Sequence, residues 1–439
     1  TMISKFTRTT FALLGAMALA LGGTPGAAVA KANPGAIQQQ ASEVTIMTAS
    51  LRVRETPSTS AKILGSLAGG TKVKTSGKSA DGAWYEITYA GKTGYISAAY
   101  ATPGGVYKAA AAAPAAASAA PAVQSKGSFG GFELGGHIKT TNYLDAMRDI
   151  GMTWIKTQVV MDGGAPDMRG MIAEVHGKGM KILIGAIGNR GRAGDGNYHK
   201  DFARNLADLA GQGADAIEVW NEPNLDREYG GSGNGQVNPE NYANMLREAY
   251  GAIKSVNRNT LVIGGAAAPT GYFGGNCTNV GCDDGPFLQR LANTGAAAWM
   301  DCMGAHHNGT MVGPDQTANA PVGTPWHPQW YFWGTLGTVY NAFRGKVPVC
   351  FTELGYVTGE GIGALPGGFS WGSSITLANQ SQWLARAVQL SKTSGKVRLM
   401  IIWNIDFREW GDDPQAGFSI IRPNGSCPAC GAIKGAMGR

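Results

Sequence analysis

The chain is poor in charge: only 15% of its 439 residues are Asp, Glu, Lys or Arg. Nowhere do Lys and Arg gather into a block, and the net charge of +7 is spread thinly. The electrostatic footprint of a nucleic-acid-binding protein is therefore missing. A pI near 9.0 still suits attraction to an anionic polymer or a wall surface. Long apolar runs are scarce as well. Outside Phe11–Gly22 no segment is long and apolar enough to span a bilayer. That one run follows Lys5 and Arg8, and the stretch "AAVA" ends at Ala30 among small residues. Residues 1–30 read as a secretory signal peptide, since the run is short for a spanning anchor. No cysteine follows it, which argues against a lipid anchor. The expected mature chain is secreted, with no transmembrane segment.

Cysteine is rare too, with six residues. In an exported chain these point to disulfides before metal sites. Cys277 and Cys282 can close one small loop, and Cys427 and Cys430 another. Cys302 and Cys350 lie on separate strand-like runs and are compatible with a pair or with two buried thiols. A zinc site built from the four loop cysteines is the lesser alternative. The strand–glycine turn "GFELGGH" lacks the G-x-G-x-x-G spacing of a dinucleotide fingerprint. No metal or organic cofactor is expected.

What is abundant is glycine, and its use changes along the chain. Residues 43–103 form short alternating runs, with turn residues every eight to twelve positions. That spacing predicts a small all-β barrel. Within it stand Leu51-Arg52-Val53-Arg54, Pro57, Gly65-Ser66-Leu67, Gly70, Trp84, Gly94-Tyr95-Ile96 and Tyr100. This set resembles bacterial SH3 domains, with Arg52 in place of their usual Asn. The resemblance implies a module for cell-surface polymer, the bland alternative being a spacer. Trp84 and Tyr95 are expected to serve partly as core. Residues 104–127 are an Ala/Pro-rich stretch in which Pro114 and Pro121 interrupt helix, and they read as a tether.

From 128 to 439 eight apolar strands alternate with amphipathic helices. The count fits an α/β fold, a (β/α)8 TIM barrel; the alternative is an open doubly wound sheet. Helix-to-strand connections such as "GKGM" and "NRNT" are short, whereas strand-to-helix connections are long and rich in Gly and Trp. In this fold the elaborated face lies at the strand C-termini, where chemistry is found.

Two of those strand ends carry a glutamate: Glu222 in "IEVWNEPN" after the fourth strand, and Glu353 in "VCFTELGY" after the seventh. Opposite strand ends of a closed barrel face one another across its mouth. Two carboxyls flanking a bond are the requirement for glycoside hydrolysis, one donating a proton and the other attacking the anomeric carbon. A donor must stay protonated near neutrality, and Trp220 and Pro223 beside Glu222 suit the apolar surroundings this needs. Taken singly, each motif also reads as a helix entry, Pro223 being acceptable at a first helical position.

Together these motifs resemble the retaining glycoside hydrolases of clan A. The resemblance implies Glu222 as acid/base and Glu353 as nucleophile, with Asn221 holding the sugar 2-hydroxyl. It also implies that Trp403 in "IIWNIDF" is a platform beneath the reactive sugar. The family's His-x-Tyr after strand six is here His306-His307-Asn308. His306 keeps the first role and Asn308 stands in place of the tyrosine; Tyr356 is a candidate substitute. Lys156, ranked above Gln158, is the candidate for the family's strand-two arginine. His137 ends the first strand as a sugar contact or a structural histidine. Trp326, Trp330, Phe407 and Trp410 lie on the long loops as stacking candidates. The expected substrate is a polysaccharide or glycoside. The rival expectation is a non-catalytic glycan- or wall-binding protein with a degenerate barrel, suggested by the altered strand-six motif.

Overall fold

A computed structural model describes residues 37–38, 42–47, 50–58, 61–106, 131–230, 237–278, 280–317 and 328–439. The signal peptide, residues 107–127 of the tether and Trp326 lie outside the described residues. The chain divides into two units.

The smaller unit is a single antiparallel sheet. Its strands are β1 (Ile37–Gln38), β2 (Ser42–Ile46), β3 (Ser50–Arg54), β4 (Ile63–Ala68), β5 (Lys72–Ser79), β6 (Trp84–Tyr89), β7 (Lys92–Ser97) and β8 (Ala101–Pro103). They run in the order β4-β3-β7-β6-β5-β2-β8, with β1 added beside β5. Alternation puts Val44, Ile46, Leu51, Val53, Tyr85, Ile87 and Ile96 into one small core. Trp84 and Tyr95 are half-buried, and the Tyr95 hydroxyl donates to Glu86 at 2.9 Å. The core aromatic is Tyr85, one position on from Trp84, because neighbouring residues on a strand face opposite ways.

The larger unit is a closed barrel of eight parallel strands. These are β9 (Glu133–His137), β10 (Trp154–Val160), β11 (Lys181–Ile187), β12 (Ala216–Val219), β13 (Leu261–Ala267), β14 (Cys302–His307), β15 (Val349–Leu354) and β16 (Val397–Ile402). β16 pairs back onto β9 and closes the ring, which rules out the open sheet. The intervening helices are α1 (Leu144–Asp149), α2 (Arg169–Gly177), α3 (Gly196–Gly211), α4 (Pro239–Val256), α5 (Asp284–Asn293), α6 (Phe332–Ala342) and α7 (Leu377–Thr393). Their starts are written locally. Asp195 accepts from the Asn197 N–H, Asn238 caps α4 ahead of Pro239, and Thr376 with Asn379 forms a capping box. Among the described residues no helix is long and apolar enough to cross a membrane.

Period-two alternation sorts the barrel interior into layers. Trp154, Leu183, Ala216, Ile263, Cys302, Cys350, Leu399 and Ile401 form an apolar floor, separate from the strand–helix core. Two residues further along the same strands come Lys156, Glu218 and Thr352, a polar layer above it. All six cysteines are bonded, as Cys277–Cys282, Cys302–Cys350 and Cys427–Cys430. The choice left open for Cys302 and Cys350 resolves to a bridge between β14 and β15 in the barrel floor. The zinc alternative is overturned, because all four loop cysteines sit in disulfides.

Candidate active site

The carboxylate in "WNEPN" owes its position to a sharp turn. β12 ends at Val219, and Trp220 and Glu222 then take φ of 76° and 46°, in the left-handed region that non-glycine residues rarely visit. Such backbone costs on the order of 1–3 kcal/mol per residue and persists only when its surroundings enforce it. Here they do. The Glu222 N–H donates to the Ala266 carbonyl of β13 at 2.9 Å, and Trp220 is fully buried. Its ring packs edge-on against Phe202 and Tyr229, and its indole N–H donates to the Glu228 carbonyl at 2.8 Å. Pro223 thus follows a turn that the flanking contacts already define. The expectation that Trp220 supplies an apolar wall for Glu222 is corrected, since Trp220 is committed to the α3 side.

The polar layer and the turn converge on the two glutamates. The His306 Nδ1 lies 3.1 Å from one Glu222 oxygen and 3.7 Å from one Glu353 oxygen. A single imidazole nitrogen therefore bridges the two carboxyls. Asn308 Nδ2 donates to that same Glu353 oxygen at 3.0 Å. The other Glu353 oxygen is 3.4 Å from the Lys156 Nζ. Glu222 also meets the Arg227 guanidinium at 3.3 Å. Both glutamate side chains keep some solvent contact, 17% for Glu222 and 10% for Glu353, while His306 keeps none.

Electrostatics here depart from the sequence expectation. Burial pushes the Glu222 carboxyl up, but the His306 hydrogen bond and charge, with Arg227, outweigh it and leave the carboxyl below its ordinary range. His306 moves the other way. Burial lowers it, yet the charges of Glu353 and Glu222 prevail and raise it. These opposite shifts favour the proton on the imidazole side of the pair.

The remaining candidates divide. Lys156 does reach Glu353. Asn221 Oδ1 is buried with no donor among the described residues. His137 is buried edge-on to Trp403, ring centroids 4.8 Å apart, and to Phe407 at 5.1 Å. Burial, then the nearby Lys156, hold the His137 ring well below its ordinary range, so it is a neutral wedge under Trp403. Phe407 is buried and completes that aromatic group at 5.1 Å from Trp403. Tyr356 does not replace the missing tyrosine. Its hydroxyl is buried without a partner among the described residues, and its ring meets His307 and Trp383 instead. The contact expected of Tyr356 is made by Asn308, two residues beyond His306 on the β14 side. Trp410 packs over Gly363 and Gly417, and Trp330, half-buried, is fixed through its backbone carbonyl, which accepts from the Thr310 hydroxyl at 2.6 Å.

Glu218 is a further buried carboxylate, not singled out above. Its one sequence signal is a charge in the middle of an apolar strand, "AIEVW". Arg227 had no signal at all, because only the turn brings it onto Glu222.

No curated protein matches the chain. Among solved structures it is similar to a glucosidase from Croceicoccus marinus, with a TM-score of 0.47 and 14% identity, covering 70% of this chain and 67% of that one. It is similar also to an endo-1,4-beta-mannanase from Rhizomucor miehei, with a TM-score of 0.46 and 13% identity over 70% and 96% of the two chains. A third is a monomeric beta-xylosidase from Caulobacter crescentus, with a TM-score of 0.44 and 18% identity over 70% and 67%. In the smaller unit, residues 49–102 match the bacterial SH3 domain family.

Proposed function

We propose that residues 128–439 form a retaining glycoside hydrolase acting on a polysaccharide or glycoside, with Glu222 as acid/base and Glu353 as nucleophile. The observation that carries this reading is the shared His306 nitrogen. Two oxygens held 3.1 and 3.7 Å from one atom cannot be farther apart than those distances laid end to end. Any bend at the nitrogen brings them closer. That favours the carboxyl spacing of about 5–5.5 Å used for a covalent intermediate over the ~6.5–9.5 Å that admits a water.

In the first step Glu353 attacks the anomeric carbon while the leaving oxygen departs with a proton that Glu222 passes on from His306. In the second, Glu222 removes a proton from water, which displaces the sugar from Glu353. The Glu222–His306 pair times the proton. Once Glu353 becomes an ester it loses the negative charge that raises His306. The pair then binds its proton less tightly, at the stage when the leaving group takes one and a base is next required. Trp403, braced by His137 and Phe407, offers a flat apolar face to the sugar. Asn221 Oδ1 is placed to accept from a hydroxyl.

A panel of aryl β-glycosides and wall polysaccharides tests the reading. Glu222→Gln is expected to lower kcat by about a hundred- to ten-thousand-fold, and Glu353→Gln to abolish turnover, with unchanged circular dichroism in both. The first product should keep the substrate's anomeric configuration by proton NMR. Full activity in either variant defeats the assignment. Sugar binding without hydrolysis, indifferent to both changes, favours the non-catalytic alternative instead.

A further inference from the structure

A lysine and a glutamate share the barrel interior directly beneath the nucleophile. Lys156 on β10 and Glu218 on β12 are 0% and 1% exposed. The ammonium lies 2.9 Å from Glu218 Oε2, but 3.4 Å from Glu353 Oε1. It also donates to the Thr352 carbonyl at 3.3 Å. Glu218 is itself fastened: its other oxygen accepts from the Thr352 hydroxyl at 2.7 Å and from the Ala266 N–H at 3.3 Å. Gly185, the register partner of Glu218 on β11, leaves the space that the lysine stem occupies. A Cβ there would sit 3.2 Å from Lys156 Cε.

We infer that Glu218 is a positioning residue that holds the Lys156 ammonium back from Glu353, so that the nucleophile is oriented by a cation without being neutralised by it. This rests on the reading of Glu353 as nucleophile. A buried pair that loses one member leaves an uncompensated charge, and the two possible losses act on Glu353 in opposite senses. Without Glu218, Lys156 has Glu353 as its one anionic partner and closes on it. Without Lys156, Glu218 and Glu353 face each other as like charges. The other titratable or charged groups around Glu353 are His306 and, through it, Glu222 with Arg227. His137 and Tyr242 stand beyond Lys156 and Glu218 respectively. None of these is itself substituted in either variant, although Lys156→Met also removes a positive charge that lowers His137 and His306.

The acid limb of kcat/KM reads the outcome, because it follows ionisation of the nucleophile in the free enzyme. Glu218→Gln is expected to move that limb to lower pH and Lys156→Met to higher pH, each by about one unit or more. In Glu218→Gln, kcat falls roughly ten- to a hundredfold with KM little changed. The double variant removes the pair as a pair and returns the limb to its original position. A purely structural pair would lower the active fraction without moving the limb. Singles that move together, or do not move, overturn the proposal.

Carboxyl carbon NMR of glutamate-labelled protein keeps the test independent of turnover and of variant folding. In the unmodified chain Glu218 must remain a carboxylate throughout the pH range in which Glu353 titrates. Glu218 taking up a proton first overturns the proposal even if every variant misfolds. An inactive protein that passes this titration defeats the hydrolase reading alone.

Discussion

At the residue scale the site turns on His306. Carboxylic proton donors are commonly tuned by apolar surroundings, but Glu222 has a hydrogen-bonded imidazole and a guanidinium instead, and Trp220 is turned away. The titrating unit is therefore the Glu222–His306 pair. Burial alone would lower His306; the facing charges of Glu353 and Glu222 raise it above its ordinary value of 6.5. The pair keeps its proton below that raised value and loses it as pH climbs through it. The basic limb of kcat/KM should thus lie above pH 6.5 and move in His306→Gln, where Glu222 must titrate without the imidazole. A limb that stays in place in that variant removes His306 from the proton path. Asn308 belongs to the same scale, since its amide N–H makes to Glu353, at 3.0 Å, the bond that the sequence resemblance led one to expect from a tyrosine hydroxyl.

At the scale of elements, the turn bearing Glu222 is clamped by the loop after β13. Asn224 accepts from the Ala268 N–H at 2.7 Å and donates to the Ala268 and Cys282 carbonyls, each at 2.9 Å. Leu225 bridges to Gly281 inside the Cys277–Cys282 loop. Asp283 ties the same loop down by accepting from the Phe273 N–H at 2.9 Å and the Gly275 N–H at 2.6 Å. Its neighbour Asp284, the first residue of α5, is pushed up to about 6 by burial. Folded, it holds its proton more tightly than an unfolded Asp at 3.8. The penalty of ionising it is absent below pH 3.8, grows as pH rises and is complete above about pH 6. Asp284→Asn should stabilise the protein at pH 7.5 by on the order of 2 kcal/mol, and by nothing near pH 3.8. Thermal unfolding at the two pH values checks this. An equal effect at both would mean that the carboxyl charge is not what matters.

At the scale of the molecule, a small β unit and a barrel are strung on one chain, each with its own hydrophobic core. The division of labour suggested by the sequence is binding in one and hydrolysis in the other. The intact chain should sediment with purified bacterial walls, and a chain lacking residues 43–103 should remain in the supernatant while hydrolysing small aryl glycosides at the full rate. Equal sedimentation of both would make the smaller unit a spacer.

The fold was legible along the chain because its determinants are local and periodic. The apolar runs "TWIKTQVV" and "KILIGAIG", the amphipathic stretches between strands and the short return loops each report on a few neighbouring residues. Glu222 and Glu353 were legible for the same reason, being polar residues where apolar strands end. What the tertiary structure alone decided is who meets whom. Closure of the barrel puts residues from β10, β12, β14 and β15 around one point, so Lys156, Glu218, His306 and Glu353 become neighbours despite separations of up to 197 residues. It withdrew Trp220 from the site, withheld Tyr356, and gave its place to Asn308. Charge interactions fall off with distance in space and not with distance along the chain, so the protonation of Glu222 was set only when the strands came together.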